Sequence, residues 1–123
     1  MKKTISFVAV IIAAVSVFCS CKPAEVKEAE NVISRTFGSL PSNVEFVVLD
    51  KVDSLDTYAL TVKDDVLTVE GTSAVALCKG FYDFVLENGY GIASWTGDRL
   101  EFPGELAEME RKSVTTPFCD RLY

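Results

Sequence analysis

The sequence contains no histidine. That absence removes the Ser-His-Asp and Cys-His nucleophile systems and every His-ligated metal site. It also lacks a P-loop and the glycine pattern of a dinucleotide fold, so no cofactor is expected. Basic residues are few: 12 Lys and Arg stand against 18 Asp and Glu, a formal charge of −6, with no basic cluster. A nucleic-acid interface needs such a cluster to release counterions from phosphate, which argues against nucleic acid as a partner. Length is short as well. The chain has 123 residues, whereas a (β/α)8 barrel takes roughly 250, so one small domain is expected. What is present reads as globular, at 49% hydrophobic, 24% charged and 11% aromatic residues.

The one long apolar run is N-terminal. Lys2 and Lys3 precede a stretch from Ile5 to Phe18, followed by Cys19-Ser20-Cys21. Such a run falls short of the about twenty residues that a membrane-spanning helix takes, and reads as a secretion signal over residues 1–20. Small residues before a cysteine resemble the bacterial lipoprotein processing box, so Cys21 is expected to be the lipidated first residue of the mature chain. Several acyl chains on one cysteine hold a protein firmly on a membrane, at about 0.8 kcal/mol per buried CH₂. Lys22 after Cys21, where an Asp would favour inner-membrane retention, points to the outer membrane or cell surface of a Gram-negative bacterium. The rival reading is ordinary signal cleavage with a soluble periplasmic product. Cys78 and Cys119 could pair in an oxidising compartment, but Cys78 falls on an apolar helical stripe, where a small buried thiol is the plainer explanation.

Residues 21–30 read as a polar tether running into a helix, whose stripe of Val26, Ala29, Ile33 and Phe37 stops at Gly38 and Pro41. Val44 to Leu49, apolar apart from Glu45, reads as an interior strand. Tyr58 to Lys63, an Asp64-Asp65 turn and Val66 to Glu70 form a hairpin. Ser73 offers an N-cap to a helix from Ala74 to Leu86, ended by Asn88-Gly89. A second hairpin is expected from Ile92 to Thr96 and Arg99 to Pro103, turning at Gly97-Asp98. Residues 105–112 are charged and poorly patterned. The fold class is therefore α+β: a small single domain over residues 31–105, with two helices on a mixed or antiparallel sheet of about five strands.

Chemistry-bearing residues are sparse. Asp83 and Glu87 lie one helical turn apart, close to the separation of a retaining glycosidase's carboxylates. On an open helix face, however, both would stay ionised and solvated, so a polar face is the better reading. Asp64-Asp65 lacks the further carboxylates of a calcium loop and reads as a plain turn; no metal site is expected. Trp95, the only tryptophan, could stack on a sugar ring with Ser94, Thr96, Asp98 and Arg99 binding hydroxyls, or could be a core or interface residue. Gly80, in mid-helix, costs about 1 kcal/mol against Ala and implies close helix-to-sheet packing.

Taken together, Leu55-Asp56-Thr57-Tyr58-Ala59-Leu60, Val69-Glu70-Gly71-Thr72-Ser73-Ala74-Val75-Ala76, Gly80-Phe81-Tyr82-Asp83-Phe84 and Ser94-Trp95-Thr96-Gly97-Asp98-Arg99-Leu100 resemble, in that order, the N-terminal domain of alpha-N-acetylglucosaminidase, glycoside hydrolase family 89. In that family a small α+β domain precedes a catalytic barrel that removes terminal alpha-linked N-acetylglucosamine using two glutamates. The resemblance implies that those glutamates lie beyond this chain, that residues 106–123 lead into the missing barrel, and that no catalytic residue carries over. Its implied partners are a barrel in cis and, through the lipid, a membrane. Trp95, Asp98 and Arg99 become candidates for an interdomain or glycan contact. Two other roles stay open: a stand-alone surface lipoprotein that binds glycans, and a partner subunit for a separately encoded barrel.

Overall fold

The computed structural model describes residues 21–116; the signal segment, Cys119 and the other residues beyond Thr116 lie outside them. Helix α1 spans Ala24–Phe37, with Glu25 in its first turn and Arg35 in its last, each matched in sign to the helix dipole. Val26, Ala29 and Ile33 are buried, as their spacing implies. The helix starts inside the segment expected to be a tether. Its polar residues are the outer face of that first turn: Lys27 and Glu28 are exposed, and Lys22 pairs with Glu30 at 2.8 Å.

Strands β1 (Val44–Val48), β2 (Thr57–Lys63), β3 (Val66–Gly71) and β6 (Met109–Thr115) form a mixed sheet in the order β1-β3-β2-β6. The Asp64-Asp65 turn is as expected. Both residues are left-handed, with φ of 52° and 62°, the geometry whose twist matches a two-residue hairpin. Strand β1 corrects the interior assignment. Among the described residues it pairs only with β3, in parallel, and it alternates buried and exposed positions, so Glu45 and Val47 look outward from an edge.

Strand β6 lies in the stretch that showed no pattern, antiparallel to β2, with a bulge between Leu60 and Val62. Its charges fit an edge strand, where they discourage pairing with another chain. Arg111 pairs with Glu70 at 2.8 Å across β2, and Lys112 reaches Glu87 at 3.3 Å.

Helix α2 (Ala74–Glu87) is capped by Ser73, whose hydroxyl accepts from the Ala76 N–H at 3.1 Å. Both helices cover the face carrying Tyr58, Leu60, Val62, Leu67 and Val69. Phe81 is the largest fully buried side chain, stacked on Phe102 at 5.9 Å and met edge-on by Phe37 at 6.4 Å. Burying it contributes about 2–3 kcal/mol. Ala59 points to the other, helix-free face, at the level where the Glu70–Arg111 pair spans β2, and is fully buried.

The remaining strands, β4 (Gly91–Ser94) and β5 (Gly97–Leu100), make a separate two-stranded sheet beside the helices. The α+β class with two helices therefore holds, with the strands divided four and two. The turn of this hairpin is Trp95-Thr96 rather than Gly97-Asp98, since Ser94 pairs with Gly97. Ser94 explains the shift: its Oγ donates to the Gly97 carbonyl at 3.0 Å and accepts from the Thr96 N–H at 3.3 Å, closing the turn with its side chain. Gly97, at φ 145°, takes the backbone conformation that this closure demands.

Candidate functional site

The four sequence blocks that carry the family resemblance meet in space, but mostly inside the fold. Thr72 joins the first two. Its Oγ1 donates to Asp56 Oδ1 at 3.1 Å and accepts from the Thr57 N–H at 3.0 Å, while its own N–H donates to the Thr57 carbonyl at 3.1 Å. Lys51 completes the corner, 3.1 Å from Asp56. Thr72 is buried, so these bonds satisfy groups that would otherwise be costly to enclose.

The third block joins them through Gly80. A Cβ there would lie 3.0 Å from Tyr58 Cδ2 and 3.1 Å from Val69 Cγ1, so the bare glycine is what lets α2 sit close on β2 and β3, as its mid-helix position implied. That approach brings the Tyr58 hydroxyl to Asp83 Oδ2 at 2.5 Å, with Lys79 on Oδ1 at 2.6 Å. Burial, and then the Asp83 hydrogen bond and the charges of Asp83 and Glu87, push the Tyr58 phenol well above its ordinary value. Asp83 is therefore not the solvated residue expected. Its carboxylate is largely enclosed and both oxygens are engaged, while Glu87 pairs with Lys112. The Tyr58–Asp83 bond is not legible in sequence, because it depends on how closely the helix approaches.

The fourth block forms the tip of the β4–β5 hairpin. Tyr82 fastens the hairpin to α2, its hydroxyl donating to the Ala93 carbonyl and accepting from the Ala93 N–H, both at 3.2 Å. Trp95 at the tip is 97% exposed. The core placement weighed for it does not hold, because a two-residue turn projects its first side chain away from the body. Asp98 and Arg99 lie on the same hairpin but are committed within it. Asp98 Oδ1 accepts from the Ser94 N–H at 3.2 Å, and Arg99 pairs with Glu101 at 2.6 Å. A shallow open depression nearby is lined by Gly89, Tyr90, Gly91, Ile92, Arg99 and Glu101. The hairpin thus offers an aromatic plane whose neighbouring polar groups already have partners.

Other candidates are placed plainly. Cys21 is exposed, two residues ahead of Pro23. Cys78 carries a free thiol whose Sγ lies 4.0 Å from the Ala29 carbonyl, and burial pushes its pKa up. Asp65 Oδ1 accepts from the Leu106 N–H at 2.9 Å, a structural use of the turn. Among the described residues no group of three or more Cys, Asp or Glu is arranged to hold a metal, and no helix is long and apolar enough to cross a membrane.

Three of the four blocks are locked into the helix–sheet contact of a two-helix α+β layer, and the class this defines is a small α+β domain. Comparison with known proteins gives its family. The family model described as the alpha-N-acetylglucosaminidase N-terminal domain matches residues 27–107, and the chain belongs to that family. Among solved structures, the fold is similar to a family 89 glycoside hydrolase from Clostridium perfringens in complex with PUGNAc, at TM-score 0.65 and 20% identity over 76% of this chain. It is similar, with the same TM-score of 0.65 and 20% identity, to a double Glu-to-Gln form of the Clostridium perfringens enzyme in complex with its substrate GlcNAc-alpha-1,4-galactose. A complex of the family 89 enzyme with 2-acetamido-1,2-dideoxynojirmycin matches at TM-score 0.63 and 21% identity. The chain spans 11% of the length of each of these structures and 76% of it is covered. No curated protein matches the chain.

Proposed function

We propose that this chain serves as the non-catalytic N-terminal domain of a family 89-like glycoside hydrolase, supporting a catalytic (β/α)8 barrel that follows it in the same polypeptide. The observation that carries the reading is the family match over residues 27–107, together with neighbours of which this fold makes up 11%. The described carboxylates support it, because Asp83 and Glu87 are tied into structural pairs rather than held apart about a sugar. Trp95 serves as an anchor against the barrel, an exposed aromatic on a rigid hairpin being the residue type that dominates protein contacts. Lipidation of Cys21 holds the domain at the outer membrane or cell surface, with only Lys22 and Pro23 between the lipid and α1.

An immunoblot of source-cell membranes with an antibody against residues 31–105 tests the reading. A band several times larger than 13.5 kDa is expected, and a sole band near that mass would sink it. Purified residues 22–123 should release no p-nitrophenol from an alpha-N-acetylglucosaminide. Cys21→Ala should move the protein from the membrane fraction to the soluble one. The exposure of Trp95 favours one alternative, a stand-alone glycan-binding lipoprotein. It predicts that N-acetylglucosamine-terminated oligosaccharides quench Trp95 fluorescence, whereas a flat titration to millimolar ligand excludes it.

A further inference from the structure

The two ends of the main sheet are finished differently. At the end holding the Asp64-Asp65 turn, polar bonds seal the loops: Asn43 Nδ2 donates to the Asp65 and Pro103 carbonyls at 3.1 Å, and Glu108 Oε1 accepts from the Asp64 N–H at 2.8 Å. The opposite end presents apolar side chains from three directions. Val47 is 42% exposed on the helix-free side, Val75 is 54% exposed on the first turn of α2, and Val52 is 73% exposed in the β1–β2 connection. Val52 and Leu55 bridge a tight turn whose two central residues, Asp53 and Ser54, are both left-handed at φ 55° and 59°. This is the same two-residue geometry as the Asp64-Asp65 turn, and Val52 gains little burial within the domain from being held there.

The same end is where β6 leaves the sheet. The Thr116 N–H donates to the Asp56 carbonyl at 2.9 Å, one residue from that turn, and Thr115 Oγ1 contacts Thr57 Oγ1 at 2.9 Å. Polypeptide continuing past Thr116 therefore starts beside the Val52–Leu55 turn, at the same end of the sheet as Val75 and Val47.

We propose that this end of the sheet is the seat on which the downstream catalytic domain rests, with Val47, Val52 and Val75 as its apolar contacts. The inference rests on the reading that such a domain follows in the same polypeptide. The complementary surface is apolar and bears cationic groups at its rim, opposite the exposed Asp50 and Asp53. Tethering at the very edge of the contact gives the two surfaces a high effective concentration, so a modest patch suffices where a free partner would need a larger one.

The test places cysteine at Val52→Cys and at Val75→Cys, with Glu28→Cys on the exposed side of α1 as reference, in the polypeptide as the cell makes it and in the 123-residue chain. Maleimide labelling rates are read peptide by peptide by mass spectrometry. Positions 52 and 75 should label at least tenfold more slowly in the longer polypeptide, with position 28 equal in both. Equal rates at 52 or at 75 in a longer polypeptide overturn this inference and leave the domain assignment standing. An immunoblot showing only a band of the 123-residue size removes the assignment, and the inference with it.

Discussion

Replacing Gly80 by alanine sets two known effects against each other. Alanine is worth about 1 kcal/mol over glycine in a helix interior. The added Cβ, however, would sit 3.0 Å from Tyr58 Cδ2, 3.1 Å from Tyr58 Cγ and 3.1 Å from Val69 Cγ1, inside the about 3.5–4.0 Å at which carbon atoms attract. A flexible neighbour would yield. Tyr58 is held at its backbone by β2 and at its hydroxyl by Asp83, and Val69 lies on β3, flanked by strands on both sides. Overpacking of this kind costs about 1–3 kcal/mol, so the expected net result is a loss of about 1 kcal/mol. For a domain of this size that lowers Tm by about 4–8 °C. Thermal and urea melts of residues 22–123 followed by circular dichroism measure it. Tyr58→Phe frees the ring from Asp83, so Gly80→Ala should cost about nothing in that background, a coupling of about 1 kcal/mol. A rise in Tm for Gly80→Ala, or an unchanged cost beside Tyr58→Phe, would refute the reasoning.

Three further outcomes are expected. Tyr58 keeps its proton in the fold at pH values where an unfolded tyrosine, near pH 10, has begun to lose it. Its stabilisation is therefore complete below about pH 10 and is lost as pH rises beyond, so the stability difference between the parent and Tyr58→Phe should narrow between about pH 10 and 12 in urea melts. Thr72→Val removes the acceptor of the Thr57 N–H and one of the donors to Asp56 Oδ1, which keeps Lys51, and should cost about 2 kcal/mol, while Thr72→Ser should recover most of it in the same melts. Trp95, the sole tryptophan, is 97% exposed, so the emission of residues 22–123 should match free tryptophan in water and barely shift on unfolding. Trp95→Ala should change stability by less than about 0.5 kcal/mol.

Periodicity made the helices legible. Val26, Ala29 and Ile33 recur at helical spacing and are buried together, and Ser73 and Gly89 sit where cap chemistry puts them. Strand partners are not local properties, which is why β1 read as interior and β6 did not read as a strand. Val47 and Val114 look alike in sequence, yet one is turned outward at an edge and the other lies partly buried on the helix side, a difference fixed by pairing alone. Charge misled in two places. The Lys and Glu residues of residues 21–30 suggested a tether although they line one side of a helix, and Asp83 suggested solvent because Gly80's effect on helix height is invisible to spacing. Trp95 was singled out by composition, but only the turn geometry of Ser94 decides that the ring faces outward.

Strand β6 separates two boundaries that are easily confused. The match to the family model ends at residue 107, whereas the hydrogen-bonded sheet runs to Thr115. A gene cut at the limit of that match would strip β2 of its neighbour from Thr57 to Val62. A central strand rich in buried apolar residues would then become an open edge, with a row of unmet N–H and C=O groups ready to pair with another copy. The stretch that matches the family model is thus shorter than the stretch that completes the sheet.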